Sequence, residues 1–476
     1  MKYPTLSQAF ETTDFLLNLE KVKALALTRI KDTEGPADTL VYDYKSPEEE
    51  LAFWQDQLES TTNSFFESVF KRTTNVQHPN YVGHQVATPA PLTAVTGLVN
   101  SLLNNGMAVY EMGMSPSAIE RVVTDKICEA IGFDSQSGGF LTSGGTLANL
   151  TALLAARKEK VSTDIWNNGL KQQLGIMVCE EAHYCIDRAA RIMGLGSKGI
   201  IKIPAQDNYA MDTTCLEYEL EKARNAGIAV FAIVGSAPST ATGAYDNLEA
   251  IGKFAAKNNL WFHVDGAHGG AAIYSDKYSY LLNGIANADS VVIDGHKMLL
   301  MPIITTALLF KNKWHTQRIF SQQADYLLDD TQEDQWYQSG KKTFECTKSM
   351  MSLHWFILMK TYGNKLFNEY VTRQYDLAKE FEALLRNDKD FEVAVSPQSN
   401  ILCFRIVKQN WSTEKLNQLN ADIRKAILAN GRFYLVQTKL KGIHYLRTSL
   451  MNPFTELSHL SELVKQIKAA ALIINP

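Results

Sequence analysis

Three short motifs in this 476-residue chain place chemically capable residues directly after apolar runs. TSGGTLANL at 142–150 is a glycine turn running into a strong helix former. The backbone amides of Gly144, Gly145 and Thr146, with the Thr146 hydroxyl, would form an anion cup at the positive end of that helix. The turn lacks both the GK[ST] of a Walker loop and a GxGxxG, so it suits a phosphate without implying a nucleotide; a plain loop with an N-cap is an equal alternative. HVDGAHGG at 263–270 delivers Asp265 onto small residues that let something flat approach, although such a carboxylate can also simply cap the next helix. DGHK at 294–297 ends another apolar run on Lys297, where partial desolvation would lower the amine's pKa and make it a nucleophile. Taken alone, a lysine of this kind is more often a surface residue.

The separations add what single motifs lack. Asp265 lies 120 residues after Gly145, and Lys297 a further 32, enough for intervening βα units to return all three to one sheet edge. A phosphate cup, a carboxylate and an amine are together what pyridoxal 5′-phosphate requires: an anion site, an acid that keeps the ring nitrogen protonated, and an amine for the imine. No simple metal or nucleotide site requires all three. No metal is expected, since the six cysteines, Cys128, Cys179, Cys185, Cys215, Cys346 and Cys403, contain no CxxC pair, and they suggest no disulfide framework either.

The elements that must position these groups follow from periodicity. Short apolar runs at 176–180, 199–204, 229–235, 260–265, 290–294 and 305–310 alternate with helical stretches, the pattern of a mostly parallel sheet covered by helices. Residues 1–77 read as a helical N-terminal arm, with Phe15, Leu19, Val22, Ala26 and Ile30 at helical spacing, and 78–350 as the large domain. Residues 351–476 read as a smaller α+β domain with strands at 402–407 and 444–450.

Composition sets outer limits. Hydrophobic residues make up 45% and charged residues 21%, an ordinary globular balance that excludes disordered and collagen-like classes. A net charge of −4 gives no global attraction to nucleic acid or acidic lipid, so a small-molecule partner is expected. The polar, acidic N-terminus does not read as a signal peptide, and the most apolar segment, 298–310, is only 13 residues with a proline; a cytoplasmic location is expected.

HPNY at 78–81, SPSAIE at 115–120, TSGGTLANL, EEAHYCIDRAA at 180–190, STATGAYDNL at 239–248, HVDGAHGG and SVVIDGHKM at 290–298 occur in an order that resembles the pyridoxal-phosphate enzymes of fold type I. Within these the chain is similar to the group II amino-acid decarboxylases, which include glutamate, cysteine sulfinate and aromatic amino-acid decarboxylases. The resemblance implies an α/β fold, a fold type I transferase-like large domain with a mostly parallel sheet. It makes Lys297 the imine lysine, Asp265 the partner of the pyridine nitrogen, and His183 the imidazole stacked on the ring. Ala267 lies beneath the opposite face, Thr240 near the phenolic oxygen and His296 beside the phosphate held by Gly144, Gly145 and Thr146. It further implies that Tyr326 protonates the reacting carbon from a loop at 320–340, and that Arg447 grips the substrate α-carboxylate.

Departures from the family pattern are Leu147, Gly266, Gly295 and His268, which are expected to alter packing. Thr347 and Lys348 stand where a Gly-Arg pair is common; in relatives that segment approaches the phosphate of a neighbouring subunit, where Thr347 could supply a hydroxyl. His84 and Gln85 fall in the side-chain pocket and favour a polar or acidic substrate such as glutamate, aspartate or cysteine sulfinate. An aromatic or diamino acid stays open, as do another fold type I activity (aminotransferase, aldolase or lyase) and a non-catalytic homologue. A homodimer with shared active sites is expected, since the amphipathic arm needs burial.

Overall fold

The computed structural model describes residues 4–34, 39–60, 64–317, 319–320 and 334–474. The chain forms two compact units, Gln85–Ala383 with Val393–Leu402, and Met1–His84 with Leu384–Glu392 and Cys403–Pro476.

The large unit is built on a seven-stranded sheet, with β1 (Gly138–Thr142), β2 (Leu174–Cys179), β3 (Ile200–Ile203), β4 (Ala229–Ser236), β5 (Trp261–Asp265), β6 (Ser290–Asp294) and β7 (Thr306–Phe310). Their order is β1-β7-β6-β5-β4-β2-β3. β6, β5, β4, β2 and β3 run parallel, while β7 is antiparallel to both β6 and β1. The mostly parallel reading therefore holds, with one reversed strand. That reversal matters for the site: β1, antiparallel to β7, points the same way as β6. The carboxyl ends of β1, β4, β5 and β6 thus open on one edge, where Thr142 and Asp294 both sit opposite Thr306. Crevices at this edge of α/β sheets are where ligands bind.

Local chemistry fixes where strands begin and end. Asn247 caps the helix Leu248–Asn258 by accepting from the Ala250 amide at 3.0 Å, and Asn259 closes it in a left-handed turn, φ 52°. β5 follows two residues later, all five of its residues buried. The helix Gly145–Lys160 lays Ala148, Ala152, Leu153 and Ala156 into the same core cluster as Trp261, Leu308 and Phe310. Its small residues let it lie close over the strand that carries Asp265.

The smaller unit contains the N-terminal arm and most of a four-stranded sheet of β8 (Phe391–Val393), β9 (Ile401–Ile406), β10 (Val436–Leu440) and β11 (Ile443–Ser449), in the order β10-β11-β9-β8. The arm's helices Thr12–Lys31, Pro47–Glu59 and Phe65–Arg72 carry no buried residue, and Phe15, Leu16, Leu17 and Leu27 are exposed. Tyr81 and Val82 join this sheet's edge: the Val82 amide donates to the Tyr434 carbonyl at 3.0 Å and the Ser449 amide to the Val82 carbonyl at 2.8 Å. No helix among the described residues is long and apolar enough to cross a membrane.

Candidate active site

β1 runs into the glycine turn, and the turn runs into a helix as expected. Gly144 adopts φ 101°, a left-handed conformation that favours glycine, and the helix starts at Gly145 with no side chain capping its amides. The Gly145 and Thr146 amides are thus left to a ligand, but the Gly144 amide, expected to join them, donates to the Thr142 carbonyl at 3.0 Å. Just before the cup, Glu345 Oε1 accepts the Ser143 hydroxyl at 2.6 Å, the Ser143 amide at 3.2 Å and the Thr142 hydroxyl at 3.1 Å. Burial opposes the charge on Glu345, but these bonds outweigh it and hold the carboxyl below its usual pKa. A phosphate entering the cup would be repelled by this neighbouring carboxylate. Glu345→Gln is therefore expected to tighten pyridoxal 5′-phosphate binding by about threefold to tenfold, read from absorbance titration of the cofactor-free protein.

Asp265 ends β5, 9% exposed. Its Oδ1 accepts the Ala267 amide at 3.2 Å, bracing the turn after the strand; it does not cap the next helix, Gly269–Tyr274, whose N-cap is His268. Its Oδ2 faces the Cys185 thiol at 3.9 Å. His183 caps the helix Tyr184–Ile192, its Nδ1 accepting from the Cys185 amide at 3.3 Å. Burial, outweighing the nearby Asp265, lowers the His183 pKa, which favours the neutral ring; Nε2 then carries the proton. Ala267 is buried, and a Cβ on Gly145 would lie 3.4 Å from its methyl, so strand end and helix start approach closely here. Thr240 is half-buried in the loop leaving β4.

Lys297 follows β6, and its ammonium lies 2.9 Å from Asp294 Oδ2. Asp294 is 1% exposed, accepts the Thr306 hydroxyl at 2.6 Å and has His296 Nε2 at 3.6 Å. This corrects the expectation of a depressed lysine pKa. Burial does push it down, but the carboxylates of Asp294 and Asp265 prevail and the net direction is upward. The free amine is stored as an ammonium and must lose a proton before it attacks a carbonyl.

Gly266 and Gly295 make room, as expected of packing changes. A Cβ at Gly266 would meet the Val292 carbonyl at 2.9 Å; at Gly295 it would meet the Trp355 ring at 2.6 Å. His268 Nε2 sits 2.7 Å from Asn400 Oδ1. Lys348 is committed within its own chain, donating to Glu120 Oε1 and to the Leu141 carbonyl, each at 2.6 Å and both buried. Thr347 is exposed.

In the smaller unit Arg447 lies on β11, 6% exposed, where burial lowers its pKa. His84 is only partly exposed, its ring shielded on one side by Tyr434, with ring centroids 5.8 Å apart. Gln85 belongs to the large unit, and its Nε2 is buried with no hydrogen-bond partner among the described residues. Tyr326 lies outside the described residues.

Sequence reasoning missed Asp294, Cys185, Glu345 and Tyr434 as site neighbours. Asp294 and Cys185 were within reach, three residues before Lys297 and two after His183. Glu345 gave no signal, because 202 residues separate it from Ser143.

A buried carboxylate, an imidazole at a helix start, a glycine turn opening a helix with no side-chain cap, and a lysine on one sheet edge fit the donor set of a pyridoxal-phosphate site. Comparison with known proteins agrees. The pyridoxal-dependent decarboxylase conserved domain matches residues 61–407, and the chain belongs to this family. It is 28% identical over 410 residues to an aromatic-L-amino-acid decarboxylase of Bacillus atrophaeus, covering 85% of this chain and 83% of the relative. It is 23% identical over 429 residues to an L-2,4-diaminobutyrate decarboxylase of Acinetobacter baumannii, covering 87% and 84%. Among solved structures, it superposes with TM-score 0.83 and 25% identity on the glutamate decarboxylase domain of diaminobutyrate-pyruvate transaminase and L-2,4-diaminobutyrate decarboxylase from Vibrio parahaemolyticus, covering 95% of each chain. The protein is a pyridoxal-phosphate-dependent carboxy-lyase acting on an amino acid.

Proposed function

We propose that this carboxy-lyase acts on an L-amino acid with a polar or acidic side chain, of the glutamate, aspartate or cysteine sulfinate kind. The observation that carries this reading is the charge around His84. Its pKa is lowered first by burial and then by two guanidinium groups, Arg447 and Arg424. One cation serves the α-carboxylate common to all substrates; the second leaves a positive field that favours an anionic side chain and repels the ammonium of a diamino acid. An aromatic substrate is the second reading, supported by Tyr81 and Tyr434 stacked at 5.2 Å with an interplanar angle of 4°. The test is kcat/KM across glutamate, aspartate, cysteine sulfinate, diaminobutyrate and the aromatic acids. At least about tenfold preference for an acidic member is expected, since one ion pair sets that scale; preference for an aromatic or diamino acid would overturn the reading.

In this reading the bound cofactor supplies a sink for the electrons released when the carboxylate leaves. Lys297 holds it, Asp265 faces its ring nitrogen, His183 and Ala267 confine the ring, Thr240 and His296 border it, and Gly144, Gly145 and Thr146 take the phosphate. Arg447 orients the substrate carboxylate, with His84 and Gln85 toward the side chain. Tyr326 returns a proton to the α-carbon, so Tyr326→Phe should suppress amine formation and favour the keto acid of abortive transamination; unchanged product partition would contradict the role.

We also assign the protein a homodimeric state and a cytoplasmic place. Support for the dimer comes from the exposed Phe15, Leu16, Leu17 and Leu27 of the arm, apolar side chains that water does not stabilise. Light scattering should give twice the 53.2 kDa chain mass, and a monomer would contradict it. For the location, the support is that all six cysteines are free thiols, as a reducing compartment keeps them; fractionation of the producing cell checks it, and recovery outside the cytoplasm would contradict it.

A further inference from the structure

Residues 261, 263 and 265 alternate onto one face of β5, so Trp261, His263 and Asp265 point the same way. Ser290 on β6 is the register partner of His263. The helix Gly145–Lys160 brings Asn149 over this face, and the helix Tyr184–Ile192 brings Cys185. Trp261, His263 and Ser290 are fully buried, Asn149 and Cys185 are each 1% exposed, and the five form a continuous row. Trp261 Nε1 donates to Ser290 Oγ at 2.9 Å; Ser290 Oγ lies 2.8 Å from His263 Nδ1, and His263 Nε2 lies 2.7 Å from Asn149 Oδ1. Asn149 Nδ2 donates to Cys185 Sγ at 3.5 Å, and that thiol faces Asp265 Oδ2 at 3.9 Å, a long contact even for sulfur.

The direction of every proton in this row follows from the partners. Asn149 Nδ2 also donates to the Gly145 carbonyl at 2.8 Å, which can only accept, so the amide orientation is fixed and Oδ1 faces His263. His263 Nε2 must therefore carry a proton. Burial drives the His263 pKa down to about 4, so the ring is neutral and Nδ1 is bare, accepting from the Ser290 hydroxyl. The Ser290 oxygen in turn accepts the indole N–H, which can only donate. Asn149 turns its second N–H to the sulfur, leaving the thiol proton for Asp265. All the donors run one way, and their aligned dipoles add at the carboxylate.

We propose that Trp261, Ser290, His263, Asn149 and Cys185 are positioning residues forming a one-directional donor chain that ends on Asp265 Oδ2, where it replaces water in solvating that carboxylate and fixes its orientation toward the cofactor's ring nitrogen. Because Asn149 also bonds Gly145, the same chain ties the start of the phosphate-cup helix to Asp265. The proposal rests on the assignment of Asp265 as the ring-nitrogen partner.

The first test needs no cofactor. In ¹⁵N-histidine-labelled protein, the His263 ring, identified by the signal lost in His263→Gln, should show the neutral Nε2–H tautomer unchanged between about pH 6 and 8; an Nδ1–H tautomer, or a ring that titrates in that range, overturns the chain. The second test compares Cys185→Ala with Cys185→Ser in the cofactor-loaded protein. Losing one donor should weaken cofactor binding and lower kcat by about fivefold each with KM within about twofold, and serine should restore both. Equal behaviour of the alanine and serine variants overturns the proposal, since a merely space-filling thiol would not discriminate between them. Failure of the Asp265 assignment itself shows separately, as an Asp265→Asn variant with unchanged cofactor spectrum and turnover.

Discussion

Lys297→Ala is expected to lower amine formation by at least roughly three orders of magnitude and to abolish covalent attachment of the cofactor. The loss has two sources. The amine is the only group on the described sheet edge placed to hold the cofactor through nitrogen, and its ammonium is the nearest full charge to Asp294 at 2.9 Å. Removing it leaves a carboxylate that is 1% exposed, with Thr306 and His296 as its remaining side-chain partners among the described residues. Such a stranded charge costs stability on the order of 3 kcal/mol, less here because Lys297 itself is 23% exposed. Lys297→Arg separates the two effects, keeping the charge beside Asp294 while removing the nucleophile. The account expects it to melt near the wild type yet to be as inactive as the alanine variant; borohydride reduction followed by peptide mass reads the attachment directly. Retained attachment in either variant would place the lysine elsewhere.

Asp265→Asn is expected to lower kcat by about a hundredfold, or about 2.7 kcal/mol of barrier, with a smaller change in KM. The amide has nearly the shape of the carboxylate and can still accept the Ala267 amide with its oxygen. What it lacks is the negative charge that stabilises a protonated ring nitrogen, and in a site this buried that charge is weakly screened. The substitution also places an N–H₂ or a neutral oxygen where the Cys185 thiol points. The visible spectrum of the bound cofactor should shift along with the rate. A slowed enzyme with an unaltered spectrum would mean that Asp265 acts on folding or substrate binding instead.

These two positions were legible in the sequence because Asp265 closes a run of buried strand residues and Lys297 follows another by three, so position along the chain predicts position at the sheet edge. β5 and β6 lie within one residue of their expected bounds. β1 was not recognised as a strand: GGFLT holds two glycines and little β-branched character, and it is made a strand by pairing with β7 along its whole length. The electrostatics were harder to read. Burial alone argued for a lysine with a lowered pKa, and the reversal depends on Asp294, whose side chain could be aimed at Lys297 only once the turn after β6 was known. Glu345 and the row behind Asp265 are non-local contacts of the same kind; no periodicity encodes them.

The central claim is that this chain removes the carboxylate of an L-amino acid at the Lys297 site. The most direct measurement supplies carboxyl-¹³C amino acids, acidic, aromatic and diamino, to the cofactor-loaded protein and follows labelled carbon dioxide together with unlabelled amine. The account predicts equal amounts of both from an acidic or polar substrate, and neither from the Lys297→Arg protein. Keto acid without labelled carbon dioxide, or carbon dioxide release that survives in Lys297→Arg, would contradict it.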